Sequence, residues 1–142
     1  MEIVMNKLTK EKLMTMYSEG KNLTGKPIYI DFYADWWGPC KTFERALNEV
    51  TPDYTDKIDM YKVNIEEESD IAAMFGARSI PYMVFIPKDG NTTSQVGALD
   101  ANTLKYYLEG LITKKWKKAW LEYLKCCIFI VYDNQRIYIR NQ

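Results

Sequence analysis

The sequence predicts an α/β fold, with a central, partly parallel sheet flanked by helices. Three observations carry that prediction. Apolar, β-branched and aromatic runs at 27–33, 58–65 and 82–86 alternate with segments of helical spacing, the pattern of strand–helix–strand units. A turn, Pro87-Lys88-Asp89-Gly90, sends the last of these runs back along Thr93 to Gly97, and that closing hairpin makes the sheet mixed. Hydrophobic residues make up 47% of the 142, enough for a core and too many for wholesale disorder.

Each element has a local reason. Residues 2–5 (EIVM) have the composition of a short edge strand. A helix over 9–19 follows, with Thr9 as N-cap, Leu8 and Leu13 at the positions of a hydrophobic staple, and Gly20 as its stop. Residues 21–26 read as a loop. Residues 27–33 (PIYIDFY) read as a buried strand whose apolar run only Asp31 interrupts. The next six residues, ADWWGP, form a loop, and Pro39 suits a first helical turn. Phe43, Leu47 and Val50 recur at i, i+4, i+7, and Pro52 ends that helix. Residues 58–65 alternate as a strand. Ser69 is placed as the cap of a short helix ending near Gly76. The strand at 82–86 and its hairpin partner follow, and Asp100 caps a last helix reaching at least Leu111.

Charge and composition set further bounds. Lys+Arg and Asp+Glu both number 19, for zero net charge. The balance hides a split: residues 1–113 carry 12 basic and 17 acidic side chains, and residues 114–142 carry 7 and 2. The absence of histidine excludes histidine-based catalysis and histidine-ligated metals. Three cysteines, two of them adjacent, make neither a disulfide scaffold nor a four-cysteine zinc site. The start lacks an apolar run of signal-peptide length, and no window approaches the ~18 apolar residues of a membrane span. A soluble, cytoplasmic protein is expected, with no nucleic-acid partner.

The segment IDFYADWWGPCK is more specific. It resembles the active-site segment of the thioredoxin family, in which a buried strand leads into W-C-G-P-C-K at the start of a helix. Lys62 in the next strand, Ser79-Ile80-Pro81, the hairpin turn at 87–90 and Val96-Gly97-Ala98-Leu99 are similar to further landmarks of that family, in order, over roughly residues 2–113. The resemblance implies a thioredoxin-like fold and a thiol–disulfide oxidoreductase lineage acting on protein disulfides in cell redox homeostasis. It also implies a cis peptide bond at Pro81. It calls for no cofactor. It implies protein or peptide substrates bound in extended form against Trp36, Trp37, Gly38, Pro39, Ile80, Pro81 and Gly97, and a thioredoxin reductase as a further partner. Main-chain pairing along residue 80 would supply affinity with little sequence demand.

The chain departs from the family motif at one position. Trp37 stands where the resemblance places the nucleophilic cysteine, a thiol whose pKa a helix N-terminus lowers. Indole has no titratable sulfur, so no disulfide can join residues 37 and 40. Cys40, the counterpart of the family's resolving thiol, is then the only thiol in the motif. Two readings of it stand: a small buried hydrophobe, or a reactive monothiol in the first helical turn beside Lys41. Asp31 and Lys62 divide similarly. Either Asp31 lies at a strand edge, paired with Lys62 or water, or it is the buried carboxylate that the family uses to help move the resolving thiol's proton, with the lysine close to it. The expected function is therefore that of a thioredoxin-lineage oxidoreductase with impaired dithiol turnover. The alternative is a redox-inactive peptide-binding module using the groove at Trp37 and Pro81.

Residues 114–142 extend beyond the resemblance. Leu104, Leu108, Ile112, Trp116, Trp120, Tyr123 and Cys127 continue one helical face, so the last helix is expected to run to about 126. CIFIVY and RIYIR, around Asp133-Asn134-Gln135, read as a β-hairpin. Three roles are open for this tail. It can cover the domain's own apolar surface, dock a partner or second copy, or meet an anionic surface through its five lysines. Cys126 and Cys127 are distant candidates for resolving Cys40.

Overall fold

The computed structural model describes residues 5–113 and the strands at 129–133 and 136–140. The chain divides into two compact units, Met1–Ile112 and Thr113–Gln142. In the first unit, a sheet is ordered β1-β5-β4-β6-β7 among the described residues. Its strands are β1 (Asn6–Lys7), β4 (Ile28–Tyr33), β5 (Asp59–Asn64), β6 (Tyr82–Ile86) and β7 (Thr93–Val96). β1, β5 and β4 run parallel, and β6 and β7 are antiparallel to their neighbours. The sheet is mixed, as the sequence predicts.

Strand periodicity sorts the core into two layers. Ile28, Ile30 and Phe32 pack with Val63, Val84 and Ile86 against Leu13 and Met16 of α1 (Lys10–Met16) and Ile71 of α3 (Ser69–Phe75). On the other face, Tyr29, Met60, Met83 and Phe85 meet Phe43 and Leu47 of α2 (Gly38–Val50) and Leu104 and Leu108 of α4 (Ala101–Thr113). Asp31, two residues along from Tyr29, projects from this second face, and the strand carries it into the interior at 5% exposure.

The helix ends follow local chemistry. Thr9 caps α1, its side chain accepting from the Lys12 N–H at 3.2 Å. Thr9→Ala is expected to cost about 1 kcal/mol of stability, the usual worth of a lost N-cap, read as a lowered urea midpoint. The helix stops at Met16, three residues earlier than the sequence suggests. Tyr17–Ser18 (β2) instead pairs antiparallel with Lys21–Asn22 (β3). Glu19 and Gly20 both have positive φ, 50° and 75°, the two-residue turn that suits a tight hairpin. The loop expected at 21–26 accordingly begins with a strand.

Two further boundaries differ. Ser69 is the first helical residue of α3 rather than its cap. Glu68 precedes it without a side-chain capping bond. Asn64 organises that entry, accepting from the Glu66 N–H through its side chain and from the Glu68 N–H through its carbonyl. The edge strand expected at 2–5 falls on residues of which only Met5 is described, and the observed edge strand begins at Asn6.

In the second unit, β8 (Phe129–Asp133) and β9 (Arg136–Arg140) pair antiparallel, with Asp133 opposite Arg136. The expected continuation of α4 over 114–126, and with it Cys126 and Cys127, lies outside the described residues.

Candidate functional site

The site is assembled where β4 gives way to α2. The loop after Tyr33 folds back through the Trp37 N–H, which donates to the Ala34 carbonyl at 3.2 Å. Trp37 is the N-cap of α2, with extended backbone and no side-chain cap. Its carbonyl accepts from the Cys40 and Lys41 N–H groups. Pro39 occupies the first turn, where a missing N–H has no cost. Cys40 follows on the inner face of α2, 7% exposed, and it is a free thiol.

Two tryptophans flank this turn in different ways. Trp36 is 61% exposed, and its indole N–H donates to Glu66 Oε1 at 2.7 Å. Trp37 is 40% exposed, and its indole N–H donates to the Ile80 carbonyl at 3.0 Å, across 43 residues of sequence. The rings meet edge to face, 5.6 Å between centroids. The Ile80–Pro81 peptide is cis. The Pro81 carbonyl in turn accepts from the Gly97 N–H at 2.8 Å, and Gly97 has φ 92°, a conformation that glycine adopts without strain. These bonds join Trp37, Ile80, Pro81 and Gly97 into one surface beside Gly38 and Pro39.

Asp31 and Lys62 are register partners on β4 and β5, but they form no ion pair. The Lys62 ammonium lies over the Tyr33 ring, 5.7 Å from its centroid. Asp31 Oδ1 is buried without a hydrogen-bond partner. The ion-pair reading is thereby corrected: the half-buried lysine turns its ammonium to a π face instead of following the carboxylate inward. Burial pushes the Asp31 carboxyl from 3.8 up to about 7, the negative charge of Glu44 adds to this, and Lys62 opposes it. Cys40 is also pushed up, by burial first and by the charge of Asp31, against a lowering hydrogen bond from the Ala34 backbone. The shift runs away from thiolate, whereas proximity to Lys41 suggested the opposite direction.

Several contributors were not visible in the sequence. Glu66 anchors Trp36, yet the run Glu66-Glu67-Glu68 reads only as a solvated acidic loop. Glu44 acts on Asp31 from α2. Tyr29 buries its hydroxyl without a partner beside Asp31 on the same strand face, and burial raises its pKa well above the phenolic range. Its aromatic character inside an apolar strand reads simply as core. Among the described residues no group of three Cys, Asp or Glu is placed to hold a metal.

A buried thiol in the first turn of a helix, with a buried carboxyl on the strand below and a cis-proline loop joined to the helix start, is the arrangement of a thioredoxin-like site. Comparisons with known proteins take this further. Residues 7–110 match the family model described as Thioredoxin. The thioredoxin of Borreliella burgdorferi is 39% identical over 80 residues, covering 56% of this chain and 68% of that one. The thioredoxin of Pseudomonas aeruginosa is 39% identical over 87 residues, covering 61% and 80%. Among solved structures, chloroplastic thioredoxin z superposes with a TM-score of 0.65 at 25% identity, covering 78% of this chain and 96% of that one. Malassezia sympodialis thioredoxin gives 0.61 at 27%, covering 78% and 89%. The chain belongs to the thioredoxin family, and its lineage is that of a thiol–disulfide oxidoreductase. No helix among the described residues is long and apolar enough to cross a membrane.

Proposed function

We propose that this chain is a thioredoxin-lineage protein that acts on protein disulfides through Cys40 alone, and that its dithiol turnover is impaired. The observation that carries this reading is the N-cap of α2. That position holds an indole engaged with Ile80, and the nearest thiol lies one turn inside, buried. Asp31, Cys40 and Lys62 are the groups that would act on the reacting sulfur. Trp36, Trp37, Gly38, Pro39, Ile80, Pro81 and Gly97 would line the surface that receives an extended substrate.

The chemistry available is a single exchange. The Asp31 carboxylate takes the Cys40 proton, and the thiolate attacks one sulfur of a substrate disulfide. A Cys40–substrate S–S bond forms, the substrate S–S bond breaks, and the second substrate sulfur leaves as thiolate. With no thiol at residue 37, the mixed disulfide stays until an external thiol, such as glutathione, reduces it. A site without a dithiol also offers a thioredoxin reductase no internal disulfide to reduce.

Iodoacetamide labelling, mapped by mass spectrometry, tests this. Cys40 is expected to react slowly at pH 7 and faster with rising pH, because only the thiolate is nucleophilic. With oxidised glutathione it should form one glutathione adduct that dithiothreitol releases. A Cys40 that stays silent at pH 9 would overturn the monothiol reading in favour of a purely binding role. A Cys40 that is fully reactive at pH 6 would overturn the buried, protonated thiol.

A further inference from the structure

We propose that Trp37 is a specificity-determining side chain that closes the substrate groove from within. Its indole occupies the main-chain acceptor that a docking strand needs, so only a ligand able to displace it gains full pairing. The proposal rests on the reading that substrates lie extended along residues 80 and 81.

Ile80 precedes β6 and stands outside the ladder that pairs Tyr82–Phe85 with β7. Among the described residues, only the Trp37 indole donates to its carbonyl, and its N–H has no backbone partner. An added antiparallel strand exchanges two bonds with a residue in such a position, one donated by its N–H and one accepted by its carbonyl. The indole N–H is a donor only, so it does at 3.0 Å what a peptide N–H would do there. The ring is braced on one side. Trp36 meets it edge to face, and Trp36 is tied to Glu66 at 2.7 Å. A continuous set of contacts therefore runs from the acidic loop after β5, through both tryptophans, to the loop before β6. Trp37 remains 40% exposed, so the bond is open to competition. A neutral hydrogen bond at such a site is worth about a fivefold change in affinity.

The test uses the full chain and a fluorescein-labelled, uncharged nonapeptide of alternating valine and threonine flanked by serine, without cysteine. Binding is read by fluorescence anisotropy. Trp37→Phe keeps an aromatic ring and removes the donor, and it should bind the peptide about fivefold more tightly than the parent. Glu66→Ala releases Trp36 and should shift affinity in the same direction by a smaller factor. Its effect provides the answer if Trp37→Phe fails to fold by circular dichroism. In the parent, the 15N-indole resonance that disappears in Trp37→Phe should move when the peptide saturates the site. Equal or weaker binding by both variants, with binding still measurable, overturns the indole's role and leaves the groove intact. Absence of binding by every form overturns the groove itself, and this proposal with it.

Discussion

Trp37→Cys is expected to raise disulfide-reducing turnover from near background to at least about 100-fold above the parent, with insulin as substrate and dithiothreitol as reductant. An intramolecular resolving thiol acts at a very high effective concentration, so its absence has a cost of this order or more. The N-cap of α2 is the place for a low-pKa thiol. The free N–H groups and the dipole of a helix start stabilise a thiolate there, and the first turn of α2 has no acidic residue to oppose them. The side chain at 37 is partly exposed and can reach a substrate. Cys40, one turn on and buried, would then resolve the mixed disulfide, with Asp31 taking its proton. Trp37→Ser is the control. It vacates the Ile80 carbonyl without adding a thiol, and it should stay near background. Robust turnover by the parent would sink the claim that residue 37 limits the chemistry, as would recovery by the serine variant.

Asp31→Asn is expected to stabilise the protein by about 4 kcal/mol at pH 8, with the gain fading to about 0.5 kcal/mol at pH 4. The sign follows from the direction of the shift. The folded carboxyl titrates at about 7 and its ordinary value is 3.8. Between these values the folded state binds more protons than the unfolded state, so stability falls as pH rises through that window. Below it both states are neutral at Asp31 and the substitution changes little. Above it the parent holds a buried carboxylate with an unpartnered oxygen, a charge that asparagine lacks. Urea midpoints of parent and variant across pH 4–8 would show the divergence. Parallel curves would mean that Asp31 is solvated or paired. In the proposed exchange step the same carboxylate is the base, but its charge also pushes the Cys40 thiol up, so Asp31→Asn should speed Cys40 alkylation, in which only the thiolate reacts.

The departures from sequence expectation have identifiable causes. The early end of α1 depends on Glu19 adopting positive φ beside Gly20, which the helical spacing of Leu13 and Met16 cannot reveal. Ser69 has the chemistry of a cap, but Asn64 already organises the approach to α3, so the serine falls inside the helix. Lys62 sits opposite Asp31 in register, yet a strand pairing specifies where Cα atoms meet and leaves the long side chain free to choose Tyr33.

The sequence by itself determined the α/β class, the mixed sheet, the thiol in the first turn of α2 and the indole before it. Those follow from local periodicity, turn residues and a contiguous motif, all of which are written along the chain. Tertiary structure alone decided the state of that site. Asp31 loses its water only when α2 closes over β4. Glu44 becomes its neighbour only across packed elements, and Trp37 finds the Ile80 carbonyl only because the sheet brings two distant loops together. Desolvation and long-range hydrogen bonds belong to the packed molecule, and no reading of neighbours along the chain can supply them.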